Sequence, residues 1–261
     1  MKTKIFTGQE IFSLKEEWNR LFKTCPTYSL FLSWPWIETL VDLVKSPPLQ
    51  VLAVFEEGPG KGLEEGEESP IGLVPLYHGK QGLLKGLSAQ GIHLFPSSTD
   101  WPAHFDFLVQ QGKEELFFQS LWQWLESQKG LWISLRRFQK DSPFLERFLS
   151  FRPSSYRTLE EWETPCPVIS LPSTEEELLK SLTKTFRKKV LYKERRLAKE
   201  FQVEFGMTSF PGNVEEVLQA FIQLHQKRLE QKNLAKDLEH QPYFPIIYQK
   251  MAEKTVSKEL R

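Results

Sequence analysis

The hydrophobic pattern at the start of the chain predicts a helix. Between residues 11 and 22, apolar side chains recur at steps of three and four and so share one helical face: Ile11, Leu14, Trp18, Leu21 and Phe22. A second helix is predicted over residues 37–44, with Pro35 in its first turn and Pro47-Pro48 ending it. These two helices precede the first segment with strand character.

Strands and helices alternate in the following segments. Residues 49–55 and 71–77 predict an antiparallel hairpin around an acidic loop, residues 56–70, with six Glu and four Gly. That loop lacks the ligand order of a calcium loop and is assigned no chemistry. Further strands are predicted at 106–109, 131–135, 156–158 and 168–171, and further helices at 114–128 and from Ser142-Pro143 onward.

The segment Pro165-Cys166-Pro167 predicts a domain junction, which divides the chain into residues 1–165 and 166–261. After it, Ser173 is predicted to cap a long helix, with Glu176 completing a capping box. An apolar stripe runs along that helix at steps of four and seven: Leu178, Leu182, Phe186, Val190, Leu197 and Phe201. A strand at 202–207 and helices at 214–232 and 245–258 are predicted to follow.

Composition excludes several classes of protein. The 261 residues are 40% hydrophobic and 26% charged, which is typical of a globular protein and excludes disordered and collagen-like chains. The two cysteines, Cys25 and Cys166, form no CxxC pair, which excludes a cysteine zinc cluster and favours a cytoplasmic protein. No apolar run is long enough to span a bilayer, and the first residues contain no signal-peptide core.

The net charge of the whole chain is zero, but charge is distributed unevenly along it. Residues 1–183 carry 18 basic and 24 acidic groups, a net −6, whereas residues 184–261 carry 16 and 10, a net +6. The balance argues against a nucleic-acid partner, while a local anion site in the second part stays open. A peripheral contact with a membrane surface also stays open.

The strongest candidate for chemistry is the basic run of residues 184–199, with eight cations and one carboxylate. Arginine holds phosphate with paired donors, so Arg187, Lys188, Arg195 and Arg196 are candidates for binding a nucleotide, coenzyme or anionic glycan precursor. A solvated helix face that packs by its apolar stripe explains the run equally well.

Other catalytic patterns are missing or weak. Walker, GxGxxG, HExxH and GxSxG motifs are absent, and the five histidines lack metal-ligand spacing, so no metal site is predicted. His225 is a candidate base or partner contact on its helix. Asp100 and Asp106, near Trp101, form either a pair of acids in a substrate loop or loop caps, and capping is favoured.

Five segments in order resemble one family. They are residues 31–36 (FLSWPW), 71–76 (IGLVPL), 98–100 (STD), 185–188 (TFRK) with 195–197 (RRL), and 224–228 (LHQKR). Together they resemble the CelD-like branch of the GNAT superfamily, and they are similar to FemABX-type tandem GNAT proteins. The resemblance extends from about Phe31 to Arg228.

The resemblance implies an α/β (α+β) tandem GNAT-like fold with mixed sheets flanked by helices, residues 1–165 forming the first unit and 166–261 an incomplete second one. It implies an acyltransferase that passes an acyl group from acetyl-CoA or another acyl-CoA to a polysaccharide or cell-envelope precursor. The substrate-binding candidates are then Trp34, Trp36, Asp100, Arg187, Lys188, Arg195, Arg196 and His225. No general base stands out.

In the family, the coenzyme-binding strand, its Gly-rich turn and the following helix come after the segment matched by residues 245–261. We therefore expect the acyl-CoA segment to be absent from this chain, which would be a fragment or a truncated form. The sequence leaves two alternatives open: a non-catalytic module that binds an anionic envelope or glycan precursor, and a FemABX-like aminoacyl transferase.

Overall fold

The computed structural model describes most of the chain. The described residues are 1–26, 29–43, 48–56, 69–84, 87–94, 105–128, 132–135, 138, 141–160, 169–204, 206, 214–232 and 244–256.

A mixed sheet organises the first part of the chain. Its strands are β1 (Lys2–Thr7), β2 (Gln50–Phe55), β3 (Gly72–Leu84), β4 (Leu87–Leu94), β5 (Leu108–Val109) and β6 (Trp132–Leu135). The order is β1-β2-β3-β4-β6, with β5 also pairing with β3. The β4–β6 pair is parallel and the other pairs are antiparallel. The sheet is therefore mixed, as the resemblance implies.

Helices flank this sheet and continue into the second part. They are α1 (Lys15–Lys23), α2 (Trp34–Leu43), α3 (Glu114–Ser127), α4 (Pro143–Ser150), α5 (Glu175–Ser181), α6 (Lys184–Glu200), α7 (Val214–Gln231) and α8 (Phe244–Val256). Short 3-10 segments, Gly8–Leu14 and Leu30–Leu32, lead into α1 and α2. Within the described ranges, no helix is both long and apolar enough to cross a membrane.

The core lies between the sheet and helices α1 to α4 and is unusually aromatic. Its largest fully buried side chains include Trp18, Trp34, Phe107, Phe117, Phe118 and Phe148. The Trp18 indole donates a hydrogen bond to the carbonyl of Leu32 at 2.7 Å, which ties α1 to the turn before α2. Burying large rings, with a partner for the indole N–H, stabilises this part of the fold.

Helix α8 packs against α2 and so contacts the core formed by the sheet and helices α1 to α4. Ile247 and Met251 of α8 are buried in the same core cluster. Beside them, the Lys254 ammonium lies 2.9 Å from the Glu38 carboxylate of α2, and the Lys250 ammonium lies 3.4 Å from that of Asp42. Apolar burial flanked by ion pairs therefore holds α8 in place.

Most of the predicted elements of the first part are confirmed. All five apolar residues of the first predicted face are buried, and Pro35 lies in the first turn of α2. Strands β2 and β3 pair antiparallel, and Ser142 caps α4 through the backbone N–H of Leu145. Strands β1 and β4 were not predicted.

The long helix predicted from Ser173 is wrong, because the structure divides it into α5 and α6. Leu182 and Thr183 have extended backbone angles between the two helices. The Thr183 hydroxyl accepts a hydrogen bond from the N–H of Phe186 and so begins a new helix. Thr174, not Ser173, caps α5, through the N–H of Glu177.

Three predicted strands are corrected where the structure describes them. Residues 156–158 form no strand, and Ile169 and Leu171, of the strand predicted at 168–171, are exposed. Residues 202–204 are likewise exposed and non-helical, without strand pairing. Among the described residues, these short runs have no neighbouring strand on which to pair, and the local pattern does not reveal that. The predicted junction at 165–166 and the acidic residues 57–68 lie outside the described residues.

Candidate functional site

Helix α6 carries the four basic residues predicted to bind an anion. It begins at the Thr183 cap, where the N–H of Arg187 also donates to the Thr183 carbonyl at 2.9 Å. It ends where the N–H of Phe201 donates to the carbonyl of Leu197. The interior residues, such as Lys, Arg, Leu, Glu and Ala, have good helix propensity, which explains a regular helix here.

Of the four predicted cations, Arg187 contacts a backbone carbonyl of α5 and Arg196 contacts a carboxylate of α6. The Arg187 guanidinium donates to the carbonyl of Leu179 in α5 at 3.4 Å, which holds the corner between the two helices. Arg196 forms an ion pair with Glu200 at 2.7 Å. These contacts are structural, so Arg187 and Arg196 offer an incoming anion only their remaining donors.

Lys188 and Arg195 are more available. They are seven residues apart, about two turns, and therefore lie on the same side of α6. Lys184 and Lys199 share this side by the same periodicity, and we call the four residues Lys184, Lys188, Arg195 and Lys199 the basic face of α6. All four are exposed, and within the described ranges none forms an ion pair. Arg195 makes only a hydrogen bond to the carbonyl of Leu191 at 3.1 Å.

The electrostatics of α6 favour anions. Its first turn has no acidic residue, so the cations Lys184 and Arg187 add to the positive end of the helix dipole instead of offsetting it. Glu194 is the single carboxylate among eight cations over residues 184–199. The arrangement can hold phosphate or carboxylate groups, but it contains no nucleophile or base with a defined reaction geometry.

The two predicted tryptophans lie elsewhere in the fold. Trp34 is 1% exposed and Trp36 is 5% exposed, and both belong to the core cluster. The ring of Trp34 packs against those of Phe12 and Trp18, and the ring of Trp36 contacts Phe31 edge-on. In this structure both indoles are core side chains.

His225 and Asp100 are the remaining predicted residues. His225 is half-buried on α7 and stacks on Phe221, with ring centroids 5.9 Å apart. Phe221 in turn contacts Tyr248 of α8. His225 thus belongs to an aromatic group between α7 and α8, and Asp100 lies outside the described residues.

Asp106 is a polar core residue whose place the sequence did not show. It is fully buried and accepts hydrogen bonds from the Ser142 hydroxyl at 2.9 Å and from the N–H of Phe107 at 2.9 Å. The favoured interpretation of this residue, a cap, agrees with these contacts. A signal was available, because Asp106 stands between Phe105 and Phe107, where a carboxylate needs buried donors.

His93 is a second buried polar residue that sequence reasoning set aside. Its ring stacks on Tyr77 at 4.4 Å and meets Trp132 edge-on at 4.7 Å. A Cβ at Gly79 would lie 2.8 Å from its Nε2 atom, so the glycine leaves room for the imidazole. The cross-strand pairing of Tyr77 with His93 explains the stack, and only strand register brings the two together.

One surface pocket of about 240 Å³ lies between β1 and α3. Its walls carry hydroxyl, amide, indole and thioether groups but no charged side chain; they are formed by Met1, Thr3, Ser120, Gln123, Trp124 and Ser127. None of the predicted site residues lines it. In the part of the chain that the structure covers, no group of three or more His, Cys, Asp or Glu side chains is placed to hold a metal ion.

Comparison with known proteins adds little to this geometry. No protein-family model matches the chain, and no curated protein matches it. Among solved structures it is similar to a mutant BH1408 protein from Bacillus halodurans, at 10% sequence identity and a TM-score of 0.34, over 65% of this chain and 100% of that chain. A similarity of this size supports no conclusion about function.

Proposed function

We propose that this chain is part of a GNAT-type acyltransferase, which passes an acyl group from acyl-CoA to an amine or hydroxyl of a polysaccharide or cell-envelope precursor. The acceptor atom attacks the thioester carbonyl carbon, the carbon–sulfur bond breaks, and coenzyme A leaves as the thiol with the proton that the acceptor loses. The proposal keeps the reaction in the cytoplasm, as the separated cysteines suggest.

The observation that carries the proposal is the basic face of α6. Acyl-CoA is a polyanion. Lys188 and Arg195, which form no ion pair in the described part of the chain, present their charges along one side of a helix. Arginine and lysine donors of this kind stabilise phosphate groups. In the proposal they contact the outer phosphates of the coenzyme.

A difference in the burial of apolar surface between the sheet region and α7 also supports the proposal. The first part has a mixed sheet covered by helices, which agrees with a GNAT-like unit at the level of layers. In the second part, α7 leaves Val217, Phe221 and Leu224 from 43% to 67% exposed. Apolar helix faces of this kind pack on a sheet in α/β units such as the one proposed.

Calorimetric titration of the chain with acetyl-CoA at low ionic strength tests the proposal. We expect weak, salt-sensitive binding that the double change Lys188→Glu and Arg195→Glu weakens about tenfold. Lys180→Glu on α5 is the matched control, because it reverses an exposed lysine off the basic face. Tight binding that the double change leaves intact would overturn the assignment to α6.

The alternative, a non-catalytic module for an anionic precursor, rests on the same unpaired cations. It differs from the acyltransferase in its ligand, which is the anionic precursor instead of acyl-CoA. A folded chain that takes up no acetyl-CoA at millimolar concentration, but binds a nucleotide sugar through Lys188 and Arg195, would favour the module over the acyltransferase.

A further inference from the structure

Helix α6 has 17 residues and, among the described residues, no buried side chain of its own. Phe186 is 53% exposed and Leu197 is 45% exposed. Isolated helices of this length are marginal in water, and most helices in proteins are held by packing of one apolar face. Such a helix is therefore expected to have a partner that covers its apolar side.

The apolar side of α6 is a narrow stripe. Phe186, Val190 and Leu197, which we call the apolar stripe of α6, follow at steps of four and seven and cover an arc of about 40° on a helix of 3.6 residues per turn. Lys189 and Lys193 border one edge of the stripe: Lys189 comes three residues after Phe186, and Lys193 comes four residues before Leu197. The basic face of α6 lies on the opposite side.

The cations bordering the stripe carry uncompensated charge. Lys189 and Lys193 are exposed, and within the described ranges neither forms an ion pair. Their long methylene stems can follow an apolar surface while the ammonium groups stay in a polar layer. A surface that is apolar inside and anionic at its boundary would complement the apolar stripe and the lysines that border it.

We propose that α6 docks on the surface of an anionic lipid bilayer, with the apolar stripe at the boundary of the acyl chains and with Lys189 and Lys193 among the headgroup phosphates. A helix with Phe and Leu on one side and Lys and Arg on the other is the type that lies in the plane of a membrane interface. Attraction of its cations to anionic lipids adds to the apolar burial. This surface goes beyond the proposed activity and uses the opposite side of α6 from Lys188 and Arg195.

Two other binding partners are each compatible with only one feature of α6, either its cations or its apolar stripe. A nucleic acid would neutralise the cations but leave Phe186 and Leu197 in water. A second copy of the chain could cover the stripe, yet it would place two sets of cations side by side along an α6–α6 contact. The bilayer is the partner that accepts both features of the helix.

Sedimentation of the whole chain with lipid vesicles tests the proposal. We expect binding to vesicles of phosphatidylcholine with about a third phosphatidylglycerol, and little binding to phosphatidylcholine alone. The double change Phe186→Ser and Leu197→Ser should lower the partition coefficient about tenfold. Lys189→Glu with Lys193→Glu should lower it about fivefold or more for each cation.

A control variant separates docking by α6 from general stickiness. Leu224 on α7 is 67% exposed, so Leu224→Ser removes a comparable apolar side chain from a different helix and should leave vesicle binding unchanged. The altered residues are all exposed, so the variants should keep the circular dichroism spectrum of the parent chain.

Four results would overturn the proposal. The first is equal binding to the two kinds of vesicle, or none to either. The second is binding that the changes at Phe186 and Leu197 do not affect, because that is adsorption by charge alone. The third is tighter binding to a DNA duplex than to the anionic vesicles. The fourth is a dimer, measured by light scattering, that these apolar changes convert to a monomer in a chain without vesicle binding.

Discussion

The Ser142 hydroxyl lies 2.9 and 3.0 Å from the two carboxylate oxygens of Asp106 and at the same time accepts the N–H of Leu145 at 3.1 Å. One side chain thus caps helix α4 and supplies a donor to a fully buried carboxylate. The negative charge also stands at the positive end of α4, where it is favoured. The contact joins α4 to the segment that leads into β5, next to the aromatic core.

Replacing Ser142 by Ala should therefore lower the free energy of unfolding by more than the loss of an ordinary helix cap does. The variant removes the cap of α4 and one donor of a buried carboxylate, so we expect the free energy of unfolding to fall by about 1–3 kcal/mol. Ser150→Ala is the control, because Ser150 is an exposed serine of the same helix that donates to the carbonyl of Arg147. Urea denaturation measures both, and equal losses would contradict this role for Ser142.

Two buried tryptophans should respond differently to the same substitution. The Trp18 indole donates to the carbonyl of Leu32 at 2.7 Å. The Trp34 indole N–H is buried and has no hydrogen-bond partner among the described residues. Both lose similar ring volume in Trp→Phe, but Trp18→Phe also leaves a carbonyl unpaired. We expect Trp18→Phe to be more destabilising by about 1–2 kcal/mol.

Thermal and urea unfolding of Trp18→Phe and Trp34→Phe provide that comparison. If Trp34→Phe proved the more costly of the two, its N–H would have a partner after all, and the assignment of Trp34 to the apolar core would be wrong.

Gly72 in β3 should not tolerate a methyl group. A Cβ there would overlap the ring of Phe117 and lie 3.0 Å from the carbonyl oxygen of Leu108. The Phe117 ring is fully buried and cannot move aside freely, so Gly72→Ala should cost about 1–3 kcal/mol. Gly206→Ala, where nothing lies within 4 Å, should change stability by less than about 1 kcal/mol. A similar unfolding midpoint for the two variants would contradict the packing of β3 on α3.

The docking of α8 on α2 should depend on burial more than on charge. Ile247 is 1% exposed in the core cluster, so Ile247→Ala should cost about 2–5 kcal/mol. Lys254 pairs with Glu38 at a partly exposed site, so Lys254→Met should cost about 1 kcal/mol or less, and less still at high salt. Denaturation at two salt concentrations measures both, and the reverse ranking would show that the ion pairs hold the helix.

The local hydrophobic pattern was sufficient to predict a helix where that helix packs against the sheet. The 3.6-residue period of residues 11–22 predicts the face that the core covers, and the Ser142-Pro143 pair predicts the start of α4. The same reasoning failed at Leu182 and Thr183, because the apolar stripe continues across a break that a single threonine hydroxyl creates. It missed β1, whose alternating Lys and Thr residues become a strand by pairing with β2.

The candidate site was only partly predictable. Helical periodicity places Lys188 and Arg195 on one side of a helix, as the structure has them. Sequence could not show that Trp34 and Trp36 turn inward, because an aromatic residue near a helix start looks the same in a core and in a cleft. Nor could it show which arginines already have partners, since Arg187 reaches back to the carbonyl of Leu179 in another helix.

The sequence by itself determined the alternation of strands and helices in the first part, the charge partition and the amphipathic character of α6, because each depends on residues close together along the chain. The tertiary structure alone decided the sheet order, the parallel pairing of β4 with β6, the burial of Asp106 beside Ser142 and the exposure of Phe186 and Leu197 on α6. These depend on which distant segments meet, and burial and pairing energies between distant segments are not encoded in local periodicity.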